Sequence, residues 1–325
     1  MSDNQIMVSV ICNTFNHEPY IAEALESFAS QKTNFAFEVI VHDDASTDGT
    51  TDIVRSYAEK YPDIIKPIIE TENQYSNKAI SITFDIDLPA CKGKYLAFCE
   101  GDDFWIDENK LQKQVDMMES NPEISMCCHA HKRINAESKK TIDVMRSVIK
   151  TDGFIDHQDL LSESNFPHWS SFMLKREDYA SLPANFRGLP IGDYPLRAYA
   201  LSLGKVYYFD EVMSSYRVMS QSSWSKSYRF KMDYRYNANK RMDDFLIMYD
   251  GYTGNKYHDY IYALIERKDF ATAIFTGHYA EAKESPLYKS SGLARKCLIN
   301  IGIHLPSLAL KLGQVYSVIK TRITH

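Results

Sequence analysis

The apolar positions in the first 130 residues repeat one pattern, in which a short apolar run is followed by a segment with apolar residues at helical spacing. MVSVIC, the first run, has the length of a strand. Ile21, Leu25 and Phe28 then lie at i, i+4 and i+7, on one face of a predicted helix. Because strands that alternate with helices form parallel sheets covered by helices, the pattern predicts an α/β fold.

Later apolar runs extend this prediction. FEVIVHDD has strand length and is followed by helix-capping residues and an amphipathic segment. IIKPIIE contains Pro67, which lacks an N–H donor, so we expect this strand to lie at a sheet edge or to be broken. Residues 77–90 are predicted to form a helix, KYLAFCEGDDFW contains the fourth strand, and ISMCCHAH is typical of a fifth.

The second half of the chain has weaker periodicity. Residues 132–150 are polar and without pattern, and they precede a short helix near Gln158 and a strand in SSFMLKR. A helix is predicted to open at Pro195, and KVYYFD forms the next strand. We therefore expect an α/β domain over residues 1–225, with halves 1–130 and 131–225, and a helical extension over residues 226–325.

Composition narrows the class of protein. Apolar residues at 44% and charged residues at 25% exclude a disordered chain, and a net charge of −6 argues against a protein that coats nucleic acid. The six cysteines have no C-x-x-C spacing, which favours reduced thiols. The N-terminus lacks the pattern of a secretory signal, and no window offers about 18 continuous apolar residues. We expect a cytoplasmic protein that does not bind nucleic acid.

Polar side chains follow three of the predicted strands: Asn13, the pair Asp43 and Asp44, and the pair Asp102 and Asp103. Ligands of open parallel sheets bind outside the carboxyl ends of the strands. Carboxylates this close raise one another's pKa unless a cation or a hydrogen-bond donor lies between them. Mg²⁺ or Mn²⁺ with a diphosphate would supply that cation, because both ions prefer oxygen ligands. Alternatively, each Asp-Asp pair forms a turn or caps a helix.

Three segments, taken in order, resemble the family 2 glycosyltransferases of the GT-A fold: VSVICNTFNHEPYIAEALESFASQ, FEVIVHDDASTDGT and GKYLAFCEGDDFW. The similarity covers roughly residues 7–220. It implies a Rossmann-like, mostly parallel sheet flanked by helices. It also implies a nucleotide-sugar donor, a Mn²⁺ or Mg²⁺ cofactor, a nucleotide-binding half over 1–130 and an acceptor-binding half over 131–225.

The resemblance assigns the nucleotide contacts to the first two strand ends. Asn13 and Phe15 correspond to residues that contact the base, and Asp44 to the carboxylate that accepts a base N–H. The family's usual DDGSTD motif reads DDASTD here, with Ala45 in place of glycine. An aromatic side chain and one carboxylate suit uracil or a similar base.

The EGDD segment corresponds to the family's D-x-D element, with Glu100 where aspartate is common. The resemblance implies that Asp103 binds the metal and that Asp102 supports the metal or the donor sugar and ribose hydroxyls. Asp43 belongs to the same group of acids. Lys78 corresponds to a basic residue that reaches the diphosphate, although a solvated helix position is the alternative.

Two further motifs carry the remaining roles. Asp193, just before the helix opened by Pro195, resembles the family's catalytic base, and its alternative role is a helix cap. YRVM resembles a segment that often reads Y-R-x-H, so Arg217 is a candidate phosphate ligand or a buried structural arginine. Met219 replaces the histidine, and a thioether is a poor ligand for a hard cation.

His168 and Trp105 are weaker candidates. His168 precedes SSFMLKR, near the place where similar proteins contact donor or acceptor, and a structural role is the alternative. Trp105 follows the EGDD segment, where it either stacks on an acceptor sugar or packs in the core.

The resemblance predicts an inverting glycosyltransferase that moves a sugar, from a UDP-sugar in the leading hypothesis, to a hydroxyl of a glycan or lipid-linked saccharide in surface polysaccharide synthesis. A sugar nucleotidyltransferase is an alternative, but CNTFNHEPY lacks the glycine-rich basic loop expected of one. A catalytically inactive nucleotide-binding relative is the other alternative.

The C-terminal segment 285–325 contains no acidic residue and interleaves six lysines and arginines with Leu, Ile and Val. Interfacial helices combine such residues, so peripheral contact with anionic lipid on the inner face of the cell membrane is predicted. Pro306 and Gly313 favour two short helices over one long one. A helical pair that packs back on the α/β domain is the alternative.

Overall fold

The computed structural model describes residues 5–77, 80–162, 167–189, 192–218 and 231–309. The chain divides into two compact units. The first comprises Met1–Gly188 and Gly192–Ser223 and contains the sheet; the second comprises Leu189–Ile191 and Trp224–His325, and its described elements are helices.

One mixed sheet organises the first unit. Its strands are β1 (Ile6–Thr14), β2 (Ala36–Asp43), β3 (Ile65–Ile69), β4 (Tyr95–Phe98), β5 (Phe104–Trp105), β6 (Ile124–Asn135), β7 (Thr141–Met145), β8 (Gly153–Phe154), β9 (Met173–Lys175) and β10 (Lys205–Val218). Their order is β3-β2-β1-β4-β9-β6-β10-β5, with β7 beside β6 and β8 beside β10. Strands β3, β2, β1 and β4 are parallel, as are β6 and β10, while β9 runs antiparallel between the two groups. The predicted mostly parallel sheet is confirmed.

The helices of this unit are α1 (Ile21–Ala29), α2 (Thr50–Lys60), α3 (Leu88–Ala90), α4 (Lys110–Ser120), α5 (His157–Ser162), α6 (Arg176–Ala180) and α7 (Asp193–Leu203). A π-helical turn, Ile82–Asp87, precedes α3. The helix predicted over residues 77–90 is therefore shorter than expected among the described residues. Strand β3, which contains Pro67, lies at the edge of the sheet as its missing N–H donor predicts.

Both faces of the sheet are buried. Val10 packs on one face with Leu25 and Phe28 of α1, whereas its neighbour Ile11 packs on the other face with Phe98. Successive side chains of a strand point to opposite faces, so a strand covered on both sides needs a continuous apolar run. This requirement explains why the short runs in the first 130 residues were recognisable as strands.

For the second half, one prediction was wrong and one was incomplete. Residues 132–150 are not without structure: β6 continues to Asn135, and β7 pairs antiparallel with it. Strand β7 exposes apolar residues such as Ile142, at 52%, so its composition lacks the clean alternation of a half-buried strand. KVYYFD is only the first part of β10, which extends to Val218.

The second unit contains α8 (Met232–Tyr252), α9 (His258–Thr276), α10 (Tyr279–Glu284), α11 (Pro286–Ser290) and α12 (Leu293–His304). Phe270, Tyr279 and Ile299 are buried in its core. Among the described residues, none of the helices combines the length and the apolar character that crossing a bilayer requires.

Candidate functional site

The ends of three neighbouring strands are joined by backbone hydrogen bonds. Strand β1 lies between β2 and β4, and at its end the Thr14 carbonyl accepts the N–H of Asp44 at 3.1 Å. The Asn13 carbonyl accepts the N–H of Gly101 at 2.9 Å. A Cβ atom at Gly101 would lie 2.7 Å from Oγ1 of Thr14, so glycine permits this close approach. The polar residues that follow β1, β2 and β4 therefore meet at one edge of the sheet.

Asp43 holds the loop that follows β2. Its carboxylate is fully buried and accepts hydrogen bonds from the backbone N–H and hydroxyl of Ser46 and from the hydroxyl of Thr51. Ala45, between them, has a φ of 60°. This left-handed conformation suits the glycine that the family has at this position, and it costs an alanine free energy. Asp43 therefore acts as a loop-positioning residue in this structure.

Asp44 connects the same loop to the segment after β3. One carboxylate oxygen accepts the side-chain amide of Asn73 at 2.9 Å and the N–H of Tyr75 at 3.0 Å, and the other accepts the N–H of Gln74 at 2.6 Å. Each carboxylate oxygen can accept two hydrogen bonds, so the second oxygen keeps acceptor capacity. Phe15, which is 37% exposed, follows β1.

Asn13 lies against the π-helical turn. Its amide nitrogen is 3.5 Å from the hydroxyl of Thr83, and its Oδ1 is buried without a hydrogen-bond partner among the described residues. The same turn ends at Asp87, whose carboxylate is 2.8 Å from Nδ1 of His42, with both side chains fully buried. This pair has no signal in the sequence, because only the fold brings residues 42 and 87 together.

Asp103 is the most deeply placed acid of the EGDD segment and is fully buried. Its Oδ1 accepts the N–H of Arg217 at 2.8 Å, whereas Oδ2 has no hydrogen-bond partner among the described residues. Burial, followed by the charges of Asp102 and Glu100, raises the pKa of Asp103 well above its usual value. A buried carboxylate with an unpaired oxygen beside like charges is an arrangement that a cation would relieve.

These residues fit a divalent metal if a bound ligand supplies the remaining coordinating atoms. Among the described residues, no group of three His, Cys, Asp or Glu side chains is arranged to hold an ion without further ligands. Mg²⁺ sites commonly use one or two carboxylates and take the remaining ligands from phosphate and water.

Arg217 holds the acid pair in place. Its guanidinium hydrogen-bonds to the carbonyl of Asp102 and to the carboxylate of Glu23 on α1, and its carbon lies 4.6 Å from the centre of the Phe104 ring. Only 3% of the side chain is exposed. The contacts correspond to the structural alternative of the sequence analysis, and Glu23 is a partner that the sequence did not indicate.

His168 lies beside the unpaired oxygen of Asp103. Its Nδ1 is 3.9 Å from Oδ2 and accepts the N–H of Ser170 at 3.3 Å, while its ring stacks on Tyr216 at 4.1 Å. Burial, and then the neighbouring His131, lowers the pKa of His168 well below its usual value. The imidazole is therefore neutral at physiological pH, the form that can bind a metal.

Asp193 lies in the first turn of α7. Burial raises its pKa, although Arg197, one turn further along the helix, acts in the opposite direction. Desolvation, followed by the charges of Asp102 and Asp193, raises the pKa of Glu100, although its side chain is exposed at the surface.

Trp105 lies in the core. Trp105 is 3% exposed, its Nε1 donates to the carbonyl of Ser170 at 3.1 Å, and its ring meets Phe28 edge-on. In this conformation the ring belongs to the core and offers no face to a sugar. Lys78 and Met219 lie outside the described residues.

The amino-acid sequence matches a known protein family and several relatives. Residues 9–182 match the model of the family described as Glycosyl transferase family 2. An uncharacterized protein from Mycobacterium tuberculosis is 35% identical over 222 residues, which are 68% of this chain and 61% of that protein. The chain thus spans less than two thirds of the length of this relative. An Escherichia coli protein named UDP-Glc:alpha-D-GlcNAc-diphosphoundecaprenol beta-1,3-glucosyltransferase WfaP is 33% identical over 35% of this chain and 42% of its own.

Two solved structures share the fold. Staphylococcus aureus TarS 1-349 in complex with UDP-GlcNAc has a TM-score of 0.60 at 17% identity, covering 90% of this chain and 78% of that one. The mannosyltransferase PcManGT from Pyrobaculum calidifontis, in complex with GDP-Man and Mn²⁺, has a TM-score of 0.55 at 18% identity, covering 93% and 81%. These likenesses concern the fold, which is of the GT-A type.

Proposed function

Because this chain belongs to glycosyl transferase family 2, we propose that it is an inverting glycosyltransferase that moves a sugar from a UDP-sugar to an acceptor hydroxyl. The observation that carries the proposal is the buried carboxylate of Asp103 at the end of β4, whose Oδ2 has no hydrogen-bond partner among the described residues and which directly follows Asp102. A donor diphosphate with a bound cation and an acceptor hydroxyl need carboxylates at the same place.

The nucleotide is proposed to bind at the ends of β1 and β2. Phe15 offers an exposed aromatic face, Asp44 keeps acceptor capacity for a base N–H, and Asn13 has a buried oxygen without a partner among the described residues. These groups suit the aromatic ring and N–H donor of uracil. TarS, whose fold is shared, was solved with UDP-GlcNAc.

Mn²⁺ or Mg²⁺ is proposed to bind at Asp103, with Asp102 in support. When bound, such an ion neutralises the negative charge that develops on the departing nucleoside diphosphate. The unpaired Oδ2 of Asp103 is the atom available for it. PcManGT, which has the same fold, is described with Mn²⁺. Lys78 stays a prediction for the diphosphate.

Asp193 is proposed to act as the general base. An inverting transfer requires a group that removes the acceptor's proton on the face opposite the leaving group. A raised pKa makes Asp193 a stronger base than an exposed aspartate, and Arg197 favours its ionised form. Both properties suit a residue that must be deprotonated near neutral pH and then accept a proton.

The acceptor is proposed to be a glycan or lipid-linked saccharide of surface polysaccharide synthesis, which fits the name of the E. coli relative. We also propose the division into a nucleotide-binding half over 1–130, an acceptor-binding half over 131–225 and a helical extension over 226–325.

The test is a nucleotide-sugar panel. The purified chain is incubated with UDP- and GDP-sugars, with Mn²⁺ or with EDTA, and with undecaprenyl-diphosphate saccharides as acceptors; released nucleoside diphosphate and the anomeric configuration of the product are measured. We expect metal-dependent release from a UDP-sugar and inversion at the anomeric carbon. Release of pyrophosphate from UTP and a sugar phosphate would instead identify a nucleotidyltransferase. Nucleotide binding without turnover on any acceptor would identify an inactive relative.

A further inference from the structure

Helix α12 has an apolar side that faces outward. Leu293, Cys297, Ile301 and His304 share one face, since helical residues advance by about 100° each. All four are exposed, with Leu293 at 79% and Ile301 at 36%. Exposed leucines continue beyond the helix at Leu305 (57%) and Leu308 (47%). We call this set, from Leu293 to Leu308, the outer face of α12.

The opposite side of α12 is the one that packs. Ile299 is fully buried, and Gly302 approaches the Tyr279 ring so closely that a Cβ atom would lie 2.3 Å from it. The helix therefore docks through Gly302 and Ile299, and Leu298 and Ile303 pack against the same core. The residues of the outer face are not part of this core.

Two lysines accompany the outer face. Lys289 is exposed, and Lys296 flanks the face with its Nζ 2.7 Å from the carbonyl of Lys289. Neither lysine forms an ion pair with a carboxylate in the described part of the chain. The whole segment 285–325 carries six lysines and arginines and no acid, in a chain whose net charge is −6.

From these features we infer that the outer face of α12 docks on the surface of a bilayer that contains anionic lipid. In such a contact the exposed leucines insert at the boundary between headgroups and acyl chains, and the neighbouring lysines contact the anionic headgroups. A second copy of the chain is a poorer occupant, because two such basic surfaces repel each other. The acidic remainder of the chain is repelled by the same headgroups, so charge also orients the molecule. The inference does not rest on the proposed transfer reaction.

Cys297 provides a direct probe of this contact. It is the exposed one of the six cysteines, and the other five are buried. An environment-sensitive fluorophore on Cys297 therefore reports from the centre of the outer face. We expect a blue shift and increased emission with vesicles of phosphatidylglycerol and phosphatidylcholine, and a much smaller change with phosphatidylcholine alone or at high salt.

Substitutions separate the two contributions in a vesicle co-sedimentation assay with the full chain. Lys289→Gln with Lys296→Gln should weaken binding about 25-fold, at about fivefold per cation. Leu293→Ser with Ile301→Ser should weaken it by more than about tenfold. Ile247→Ser on α8, at 46% exposure, and Arg267→Gln on α9 are matched controls that should change little. Circular dichroism verifies that each variant is folded.

Three results would overturn the inference. If the emission of the fluorophore on Cys297 does not respond to anionic vesicles, the outer face of α12 does not contact the membrane. A blue shift that grows with protein concentration in the absence of lipid would identify a second copy as the occupant. Emission that is already blue-shifted in a monomer, and that reverts when residues 310–325 are deleted, would identify the chain's own C-terminus as the cover.

Discussion

Two Asp-Asp pairs follow two strands that flank β1, and they differ in what surrounds them. Asp43 and Asp44, after β2, receive hydrogen bonds from Ser46, Thr51 and the segment 73–75. Asp103, after β4, keeps an oxygen without a partner among the described residues, and its pKa is raised. The same dipeptide thus serves as a loop anchor at one strand and is proposed to bind a cation at the other. The difference lies in the number of donors, because Asp43 and Asp44 have donors for both carboxylate oxygens and Asp103 has one for Oδ1 alone.

The sharpest test of the comparison is Asp103→Asn. We expect a loss of at least about 1,000-fold in kcat/KM, since metal stabilisation is worth several kcal/mol and about 1.4 kcal/mol is a factor of ten. Mn²⁺ binding, measured by electron paramagnetic resonance, should be lost in parallel. The metal-free variant should unfold at the same or a higher temperature, because a repelled buried charge has been removed. Exposed Asp116→Asn is the control.

Asp193→Asn tests the proposed general base. We expect kcat/KM to fall by about 100-fold or more, with smaller change in donor affinity. In the natural chain, activity should fall as pH decreases through the raised pKa of Asp193, at a pH above the ordinary aspartate value of about 4, because the base becomes protonated. The variant should lose this acid limb. Asp178→Asn is the matched control, since burial also raises the pKa of Asp178, and it should keep the loss of activity at low pH. If Asp193→Asn shows the same fall in activity at low pH as the natural chain, Asp193 is not the base.

Asp43→Asn should show the opposite pattern to Asp103→Asn. The carboxylate accepts three hydrogen bonds while buried, so its neutralisation should lower the free energy of unfolding by about 2 kcal/mol. Urea denaturation measures the loss, with exposed Asp52→Asn as the control. If Asp43→Asn and Asp103→Asn destabilise the metal-free protein equally, the two pairs do not differ as we describe.

The smallest expected effect is at Ala45. A left-handed conformation costs a non-glycine residue about 1–2 kcal/mol, and glycine loses about 0.5–1 kcal/mol through its greater freedom in the unfolded chain. Ala45→Gly should therefore stabilise the protein by about 0.5 kcal/mol, readable as a higher midpoint in urea. A lower midpoint would mean that the φ of 60° is not maintained in solution.

The sequence predicted the parallel strands and the acids at their ends because both are local signals. Apolar runs mark strands buried on two faces, and Asp102 and Asp103 directly follow such a run. The partners missed are those that act over long separations. Glu23 meets Arg217 across 194 positions, and His42 meets Asp87 across 45. Strand β7 was missed for another reason, since its exposure removes the periodicity that marks a half-buried strand.

The N–H of Arg217 that occupies Oδ1 of Asp103 has a consequence for ion selectivity. If the proposed metal binds here, Oδ2, which has no partner among the described residues, is the oxygen more readily offered to the ion, and Oδ1 is already shared with a main-chain N–H. Calcium often takes both oxygens of a carboxylate, whereas magnesium requires compact octahedral geometry with single-oxygen ligands. A main-chain amide in β10 would thereby discriminate against the larger ion without touching it.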